Sequence, residues 1–503
     1  MKNSNELFLL VKSLNKNEKG YFKKFASINS KKGEGNYLRL FNCLDAMEQY
    51  DEKQIRITFA GEKFLSQLNV TKLYLQKMII RALRNYHSDS DTDIERLHLL
   101  IEAQMLIKKQ LYDSAHRVLK NLIEKSKEVE ASLTYLYALQ LDYQILIRKG
   151  QYTEMLSAAK QKLDSETEEL AKYQNLCDYR FLQAQSLSIT QIEGYARNES
   201  RKQMQDLMND QLLKDPDKPK SFMASLHRYE ILLKCYLKTG NGEMAYQCAK
   251  EMLKLFDDNP TRKKITPYNY FVTLNSLGNR CISTYRYEEA KKYIEIGESL
   301  LHKESIKLSD SQRFEIAIQM AEKKMIACGG TRDFAEGIEC EKRLVGIVKN
   351  KPVRAEFEVT MKYFAAVCYF GLGKYEEALD RINFIIHEKR AAVRKDLQLS
   401  AYMLNVLLHH ELGNKSLTTR LITMSKNFAL VNKFPAEDSN RFFKLLQTIL
   451  TGTESRSATA RKKLEENLSS FDFADIDFLS WWLHKNKPHR KTNGAYINLT
   501  NNN

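Results

Sequence analysis

The chain has 503 residues, of which 43% are hydrophobic and 28% charged, and its formal net charge is +16 at pH 7. This balance is typical of a chain that folds and excludes an intrinsically disordered one. Only 7 prolines and 19 glycines occur, and the first proline is Pro216. Long helices tolerate this scarcity, whereas a β-protein needs more turn residues, so the expected fold class is all-α.

The N-terminal residues contain only a short apolar run, at positions 7–11, so we expect no secretion signal. No segment approaches the roughly eighteen apolar residues of a membrane span. The 8 cysteines include no C-x-x-C pair, and Cys235 and Cys368 lie in apolar helical patterns. We therefore expect reduced, buried thiols, a cytoplasmic location, and no metal or cofactor.

Residues 1–90 are predicted to form an N-terminal helical domain with helices over 5–25, 37–49, 52–59 and 64–86. The last helix, FLSQLNVTKLYLQKMIIRALRNY, has two interpretations. In a helix-turn-helix, residues 69–71 would form the turn and the side chains facing DNA would be Lys72, Tyr74, Gln76 and Arg81. In a single amphipathic helix, the side chains buried against the first repeat would be Leu73, Ile80 and Leu83. The second interpretation is favoured because position 69, where the turn glycine is expected, is Asn69.

From residue 91 to 450 a short motif recurs, in which an aromatic residue follows a glycine by two places and precedes an alanine by three. In GLGKYEEALDRI these residues are Gly373, Tyr375 and Ala378. The aromatic positions of successive motifs are 112, 152, 242, 287, 334, 375 and 415, and a degenerate unit around Tyr195 would fill the one wide gap. A fixed period of 40–47 residues predicts a stack of helical hairpins.

The motif has a packing explanation. The glycine relieves backbone strain where the first helix of a hairpin ends. The aromatic ring fills the wedge between the two helices, and the alanine lets them approach closely. We therefore expect Ala290 and Ala378 to be buried at helix–helix contacts. By the same argument the glycines of Cys328-Gly329-Gly330 are expected to form a turn, and not a nucleophile loop.

These residues resemble the tetratricopeptide repeat, whose order is matched by Ala366, Tyr369, Gly373, Tyr375, Ala378 and Ile382. The resemblance covers about residues 95–430. It departs from that family in its longer period and in lacking the tryptophan and the terminal proline of the motif. The resemblance implies a right-handed superhelix of antiparallel hairpins, a long-helix α-solenoid whose first helices line a concave groove.

The resemblance also places the residues of a peptide- or protein-binding groove one to three turns before each elbow. The amide and charged side chains at these places are Gln140, Gln144, Arg148, His227, Glu230, Lys234, Lys238, Asn275 and Asn279. Such side chains can hydrogen-bond an extended backbone or a carboxylate. In the later units the same places hold Tyr363, Val367 and Phe370, which predict an apolar pocket or a closed groove.

Residues 451–484 are predicted to form C-terminal capping helices, in which Trp481 and Trp482 cover the last apolar face of the array. Residues 485–503 are predicted to be a disordered basic tail. His409 and His410 are neighbours in a predicted helix, and because neighbours point about 100° apart they are poor candidates for a shared metal.

No phosphate-binding glycine loop or hydrolase motif occurs, so we expect no catalytic residues. The favoured function is a non-enzymatic adaptor or scaffold that binds a protein or peptide partner in the groove. The alternative is a peptide-sensing regulator in which residues 1–90 bind DNA or an effector. A purely structural role in a larger assembly is a third interpretation. A protein partner is favoured over nucleic acid, because the basic charge is spread along the chain.

Overall fold

The computed structural model describes residues 3–28, 35–87, 92–150, 152–190, 197–303, 306, 308–348, 353–387, 394–467 and 482–483. These residues are almost entirely helical and contain no β-strand, which confirms the all-α prediction within them. They divide into two compact units. The first unit consists of Met1–Arg180 with Pro219–Ala224, and the second of Phe181–Lys218 with Ser225–Asn503.

The helices that begin in the first 180 residues are α1 (Asn3–Ser13), α2 (Lys16–Ile28), α3 (Asn36–Ala46), α4 (Glu52–Thr58), a 3-10 helix (Lys63–Gln67), α5 (Leu68–Tyr86), α6 (Thr92–Lys108), α7 (Tyr112–Glu128), α8 (Ser132–Arg148) and α9 (Tyr152–Thr190). Further along the chain lie α10 (Arg197–Leu207), α11 (Gln211–Lys214), α12 (Phe222–Thr239), α13 (Gly242–Asp258), α14 (Arg262–Ile265), α15 (Pro267–Ser283), α16 (Tyr287–Ser299) and α17 (Asp310–Thr331). The last are α18 (Phe334–Val348), α19 (Ala355–Gly371), α20 (Tyr375–His387), α21 (Lys395–Glu411), α22 (Lys415–Val431), α23 (Ala436–Thr451) and α24 (Glu454–Asn467).

The first four of these helices and α5 share one apolar core, in which Phe22 packs on Phe41 with ring centroids 4.5 Å apart. The single helix predicted over 5–25 is wrong, since α1 ends at Ser13 and α2 begins at Lys16. Asn15 and Glu18 form a capping box. The Asn15 Oδ1 accepts from the Glu18 backbone N–H, and the Asn15 N–H donates to Glu18 Oε2, both at 2.9 Å. The N-x-x-E spacing was a visible signal for this helix start.

The helix-turn-helix turn predicted at residues 69–71 is wrong, because these residues lie in the first turn of α5. The single amphipathic helix is observed, but its buried face includes Leu75, Ile79 and Ala82. Leu73 and Ile80, which we expected to be buried, are each 50% exposed. Apolar residues occupy more than one face of this helix, so periodicity alone does not select the face that packs.

Each predicted elbow is the start of the second helix of a hairpin. The helices α7, α9, α13, α16, α18, α20 and α22 begin at positions 112, 152, 242, 287, 334, 375 and 415. Helices that follow one another pack together, as in the pairs α6–α7, α15–α16, α17–α18, α19–α20 and α21–α22. The described chain therefore contains a repeated helical hairpin with the period that the sequence predicts. Tyr195 lies outside the described residues.

The residue two places before each of these starts has a left-handed backbone. Glycine fills this place at Gly150, Gly240, Gly373 and Gly413, with φ between 70° and 87°. The other three elbows place Gln110, Tyr285 and Arg332 there, with φ of 62°, 60° and 71°. Glycine adopts this region at little steric cost, whereas residues with a Cβ are strained in it. The three elbows without glycine are thus the strained ones.

The turn predicted at Cys328-Gly329-Gly330 is wrong, because all three residues lie within α17 and Arg332 makes the turn. Packing explains the glycine at position 330, since a Cβ there would clash with the ring of Tyr287. Gly371 lies in the same way against the ring of Phe334. Both glycines precede the next aromatic position by four residues. The aromatic residue of one hairpin therefore packs on the first helix of the next hairpin.

The alanine position of the motif is buried in each elbow for which the structure describes the residue there. Ala115, Ala245, Ala290 and Ala378 have no exposed surface, and Thr418 at the same place is 1% exposed. A Cβ on Gly337, which also occupies this place, would clash with Sγ of Cys368. This confirms the prediction that small residues set the close approach of the helices.

The C-terminal part of the second unit contains α23 and α24. Trp482 is 3% exposed, and its Nε1 donates to Glu411 Oε1 at 3.2 Å. Arg461 of α24 lies over the Trp482 ring at 5.2 Å. Trp482 is therefore packed on the apolar core, as a capping residue should be. Trp481 and the predicted tail, residues 485–503, lie outside the described residues.

The buried alanine position yields a stability prediction. Replacing Ala378 with Leu should overpack the α19–α20 hairpin and lower the free energy of unfolding by about 1–3 kcal/mol. Glu376→Leu is the control, because Glu376 is exposed two residues earlier in the same helix. Urea unfolding of both variants checks this, and equal midpoints for the two would contradict the packing interpretation.

A second prediction concerns the strained elbows. Gln110 is exposed and left-handed, so Gln110→Gly should relieve strain and raise the free energy of unfolding by about 0.5–1 kcal/mol. Lys109→Gly is the control, since Lys109 is also exposed but has a negative φ. This substitution relieves no strain and lowers stability by raising the entropy of the unfolded chain. Gly373→Ala should be destabilising. Urea midpoints that fall for Gln110→Gly as they do for Lys109→Gly would show that the elbow is not strained.

Candidate functional site

The predicted groove residues fall in both units. Gln140, Gln144 and Arg148 lie along α8 in the first unit, where Gln140 and Arg148 are exposed and Gln144 is half-buried. Glu230, Lys234, Lys238, Asn275 and Asn279 lie in α12 and α15 of the second unit, and all five are half-buried. The two sets therefore belong to different units.

In the first unit, Gln140 lines an open cleft of about 630 Å³ between α8 and α9. We call it the α8–α9 cleft, and its lining residues are Leu133, Leu136, Tyr137, Gln140, Tyr143, Ala159, Lys162, Leu163, Glu166 and Leu170. Most of these side chains are apolar, yet Leu133 is 62% and Leu163 61% exposed. An apolar surface open to water in this way is typical of an interaction site.

The α9 wall of the cleft belongs to a longer stripe. Leu156, Leu163 and Leu170 are 81%, 61% and 54% exposed and follow one another at seven-residue intervals. Residues seven apart lie on nearly the same side of a helix, so these leucines form one apolar seam. The seven-residue spacing of this seam is visible in the sequence, but the seam is not among the predicted sites. It was missed because an apolar stripe on a helix is expected to be buried.

Polar groups fix the rim of the cleft. Lys162 Nζ donates to Asp142 Oδ2 at 2.7 Å and to the Leu139 carbonyl at 3.3 Å. Asp142 also lies 2.6 Å from Nδ1 of His116. The hydroxyl of Tyr137 accepts from Gln104 Nε2 at 2.7 Å. These contacts hold the rim side chains in place.

In the second unit, Glu230 is already engaged by neighbouring side chains. Its Oε2 accepts from Gln183 Nε2 at 2.7 Å and lies 3.2 Å from His227 Nδ1. Lys234 follows one turn later in α12, and burial lowers the pKa of its ammonium group. Glu230 is therefore already bonded within the fold, and burial disfavours the charged form of Lys234.

Asn275 and Asn279 lie one turn apart on α15. The Asn275 Oδ1 is buried and has no hydrogen-bond partner in the described structure. A buried polar atom without a partner is uncommon and needs a functional or structural reason. In the later hairpins, Tyr363, Val367 and Phe370 occupy corresponding places and are at most 3% exposed. All three side chains are part of the apolar core of the second unit, and the prediction of an apolar pocket or a closed groove there stays a prediction.

Cys328 and Cys340 form a pair of neighbouring thiols in the second unit. Arg343 Nη2 lies 3.2 Å from Cys340 Sγ, and hydrogen bonds from Cys328 and Arg343 lower the pKa of the Cys340 thiol. Both thiols are fully buried, however, so a substrate has no access to them. No group of three or more potential ligands is suited to a metal ion in the described part of the chain. Burial lowers the pKa values of His409 and His410.

No model of a known protein family matches the chain, and no curated protein has a significantly similar sequence. Across the described residues, no helix combines the length and apolar character that crossing a bilayer requires.

Lys72, which the helix-turn-helix interpretation places against DNA, has a structural role instead. It is 6% exposed, and its Nζ donates to Tyr50 Oη at 2.7 Å and to Glu52 Oε2 at 2.8 Å. The hydrogen bonds from Lys72 and Arg56 lower the pKa of Glu52 to about 2. This network ties α5 to the start of α4.

The network predicts an acid-sensitive contribution to stability. Because the pKa of Glu52 is lower in the folded chain than in the unfolded one, its contribution is present near neutral pH. It is lost as the pH falls from about 4.5 towards 2. Glu52→Gln should therefore lower the midpoint of urea unfolding at pH 7 and flatten its dependence on pH below about 4.5. Glu48→Gln is the control, since Glu48 is exposed and forms no ion pair in the described structure. Parallel pH profiles for the wild type and Glu52→Gln would contradict this.

Proposed function

We propose that the protein is a non-enzymatic interaction module that binds an amphipathic helical segment of a partner protein in the α8–α9 cleft. The observation that carries this proposal is the exposed leucine seam of α9 beside the apolar wall of α8. The partner's apolar residues would cover the seam, and Gln140 and Glu166 would bond its polar groups at the rim. The role is that of an adaptor or scaffold, and we propose that it is performed in the cytoplasm.

The spacing of the seam supports a helical occupant. Leucines at seven-residue intervals form the row of knobs that a second helix accepts between its own side chains. Helices that dock in a groove contribute residues three, four and seven places apart, which matches the period of Leu156, Leu163 and Leu170. An extended peptide has a period of two and would leave much of this row uncovered.

We further propose that the hairpins form a tetratricopeptide-like solenoid in which the groove residues on α8, α12 and α15 contact partner segments. The recurrence of the elbow at seven places supports this, as do the burial of the small residues and the contact of each aromatic with the following hairpin. DNA binding by residues 1–90 is not part of the proposal, since Lys72 is buried and residues 69–71 are helical.

Site-specific crosslinking tests the cleft. A photoreactive amino acid placed at Leu163 should crosslink a partner in extracts of the native cell. The same residue at Gln161, which is exposed on the other side of α9, should not. A synthetic peptide of the crosslinked segment should then bind the purified chain. Leu163→Asp with Leu170→Asp should weaken that binding at least about tenfold, because both leucines would be covered in the complex.

The stability of the double variant and the pattern of crosslinks show whether the partner binds in the cleft. Both leucines are exposed, so the melting temperature of the double variant should stay within about 2 °C of the wild type. Equal crosslinking from positions 161 and 163, or unchanged affinity in the double variant, would overturn the proposal. Crosslinks only to a second copy of the chain would replace it with self-association.

Asn275→Ala with Asn279→Ala should weaken binding without unfolding the protein if the partner also reaches α15.

A further inference from the structure

The outward side of α5 carries apolar and basic side chains together. The opposite side, with Leu75, Ile79 and Ala82, is buried in the core of the N-terminal helices. The outward residues are spaced three, four and seven places apart, so they share one face of the helix, and each of them is exposed. They are Val70, Leu73, Lys77, Ile80, Arg81 and Arg84.

The charge on this face is of one sign. Helix α5 contains four basic residues and no Asp or Glu. Lys72 is bonded to Glu52, whereas Lys77, Arg81 and Arg84 form no ion pair in the described structure. These three cations follow one another at intervals of four and three residues, which places them about one helical turn apart. An unbalanced row of cations of this kind attracts an anionic partner.

An open cleft of about 580 Å³ lies at the C-terminal end of the same face. Arg84 lines it from α5, and Ile101 and Met105 line it from α6. Ile101 is 44% and Met105 62% exposed, so the cleft offers apolar surface to a partner. Lys109 adds a second cation to the lining, and Glu102 is its one carboxylate. We call the exposed face of α5 and this cleft together the α5–α6 surface.

The combination of a cation row with an apolar cleft discriminates between anionic partners. The phosphates of a nucleic acid pair with basic groups but supply no aliphatic side chain for a concave apolar cleft. A lipid bilayer covers an exposed helix face but is too broad to fill a recess of this size. An amphipathic protein helix supplies both complements, because carboxylates one turn apart can stand beside large apolar side chains.

We propose that the α5–α6 surface binds an acidic amphipathic helix of a partner protein. Carboxylates one turn apart on that helix pair with Lys77, Arg81 and Arg84. A large apolar side chain of the same helix enters the cleft and covers Ile101 and Met105. This surface shares no lining residue with the α8–α9 cleft, so the proposal does not depend on the proposed function.

A pair of model peptides tests the chemistry of the partner. The probe is a fluorescein-labelled helical peptide of Glu, Leu and Ala, in which Glu recurs every three or four residues beside a row of Leu. The matched peptide has Gln in place of each Glu. Fluorescence anisotropy with the full-length chain should show at least about tenfold tighter binding of the Glu peptide. Salt should weaken the binding of the Glu peptide and have little effect on that of the Gln peptide.

Charge reversal tests the location. Lys77→Glu with Arg81→Glu should weaken binding of the Glu peptide at least about tenfold, because repulsion replaces two ion pairs. Lys24→Glu with Lys120→Glu is the control. Lys24 and Lys120 are exposed on α2 and α7, form no ion pair in the described structure, and give the same change in net charge. All four positions are exposed, so both double variants should melt within about 2 °C of the wild type.

A substitution in the cleft tests the apolar anchor. Met105→Gln keeps the length of an exposed side chain and removes apolar contact, so it should weaken binding of the Glu peptide about threefold or more. Unchanged affinity in this variant would overturn the role of the cleft.

The remaining outcomes separate this inference from its rivals. Equal affinity for the Glu and Gln peptides, or an equal loss in the two double variants, overturns the proposal. It is also overturned if a DNA duplex or phosphatidylserine vesicles bind more tightly than the Glu peptide and lose binding in Lys77→Glu with Arg81→Glu. Leu163→Asp with Leu170→Asp should leave binding of the Glu peptide unchanged, and a loss confined to that variant assigns the peptide to the α8–α9 cleft instead. Binding that depends on Lys77 and Arg81, without crosslinking at position 163, supports this surface while the proposed function fails.

Discussion

Close packing at the small residue of each elbow is the constraint on which the repeated hairpins depend. Ala115, Ala245, Ala290 and Ala378 are fully buried, and at Gly337 even one methyl group would meet Cys368. Interiors this dense leave no room for added volume, so the residue at this place fixes the distance between the two helices. With that distance fixed, the left-handed turn two residues before the second helix has little freedom to vary.

The same constraint connects one hairpin to the next. Tyr287 lies against Gly330 and Phe334 against Gly371, in each case on the first helix of the following hairpin. Tyr375 continues the pattern, since its hydroxyl lies 3.3 Å from a carboxylate oxygen of Glu411. Because each ring packs on the first helix of the following hairpin, the position of one hairpin constrains the position of the next. This explains why the period is regular although the helices differ in length and composition.

The proposed sites lie where this order leaves groups unsatisfied. Along α9 a row of leucines is exposed, and in α15 the buried Oδ1 of Asn275 has no hydrogen-bond partner in the described structure. Both features lower the stability of the free chain, one by exposing apolar surface and the other by burying unpaired polarity. Natural chains retain such features where function requires them. Lys72 is the opposite case, because its buried ammonium group is bonded to Glu52 and stabilises the fold.

The sequence by itself determined the helical class and the seven elbow positions, because glycine, aromatic and alanine have local steric roles that repeat with the chain. It also located the alanines that are buried. Tertiary structure alone decided which face of α5 packs, since apolar residues lie on more than one of its sides. It also decided that Arg332 makes the turn after α17 and Gly330 lies in the helix, because that glycine serves the distant ring of Tyr287. Likewise the burial of Lys72 against Tyr50 and Glu52 depends on which helices surround it, and the adjacent residues in the sequence carry no record of those neighbours.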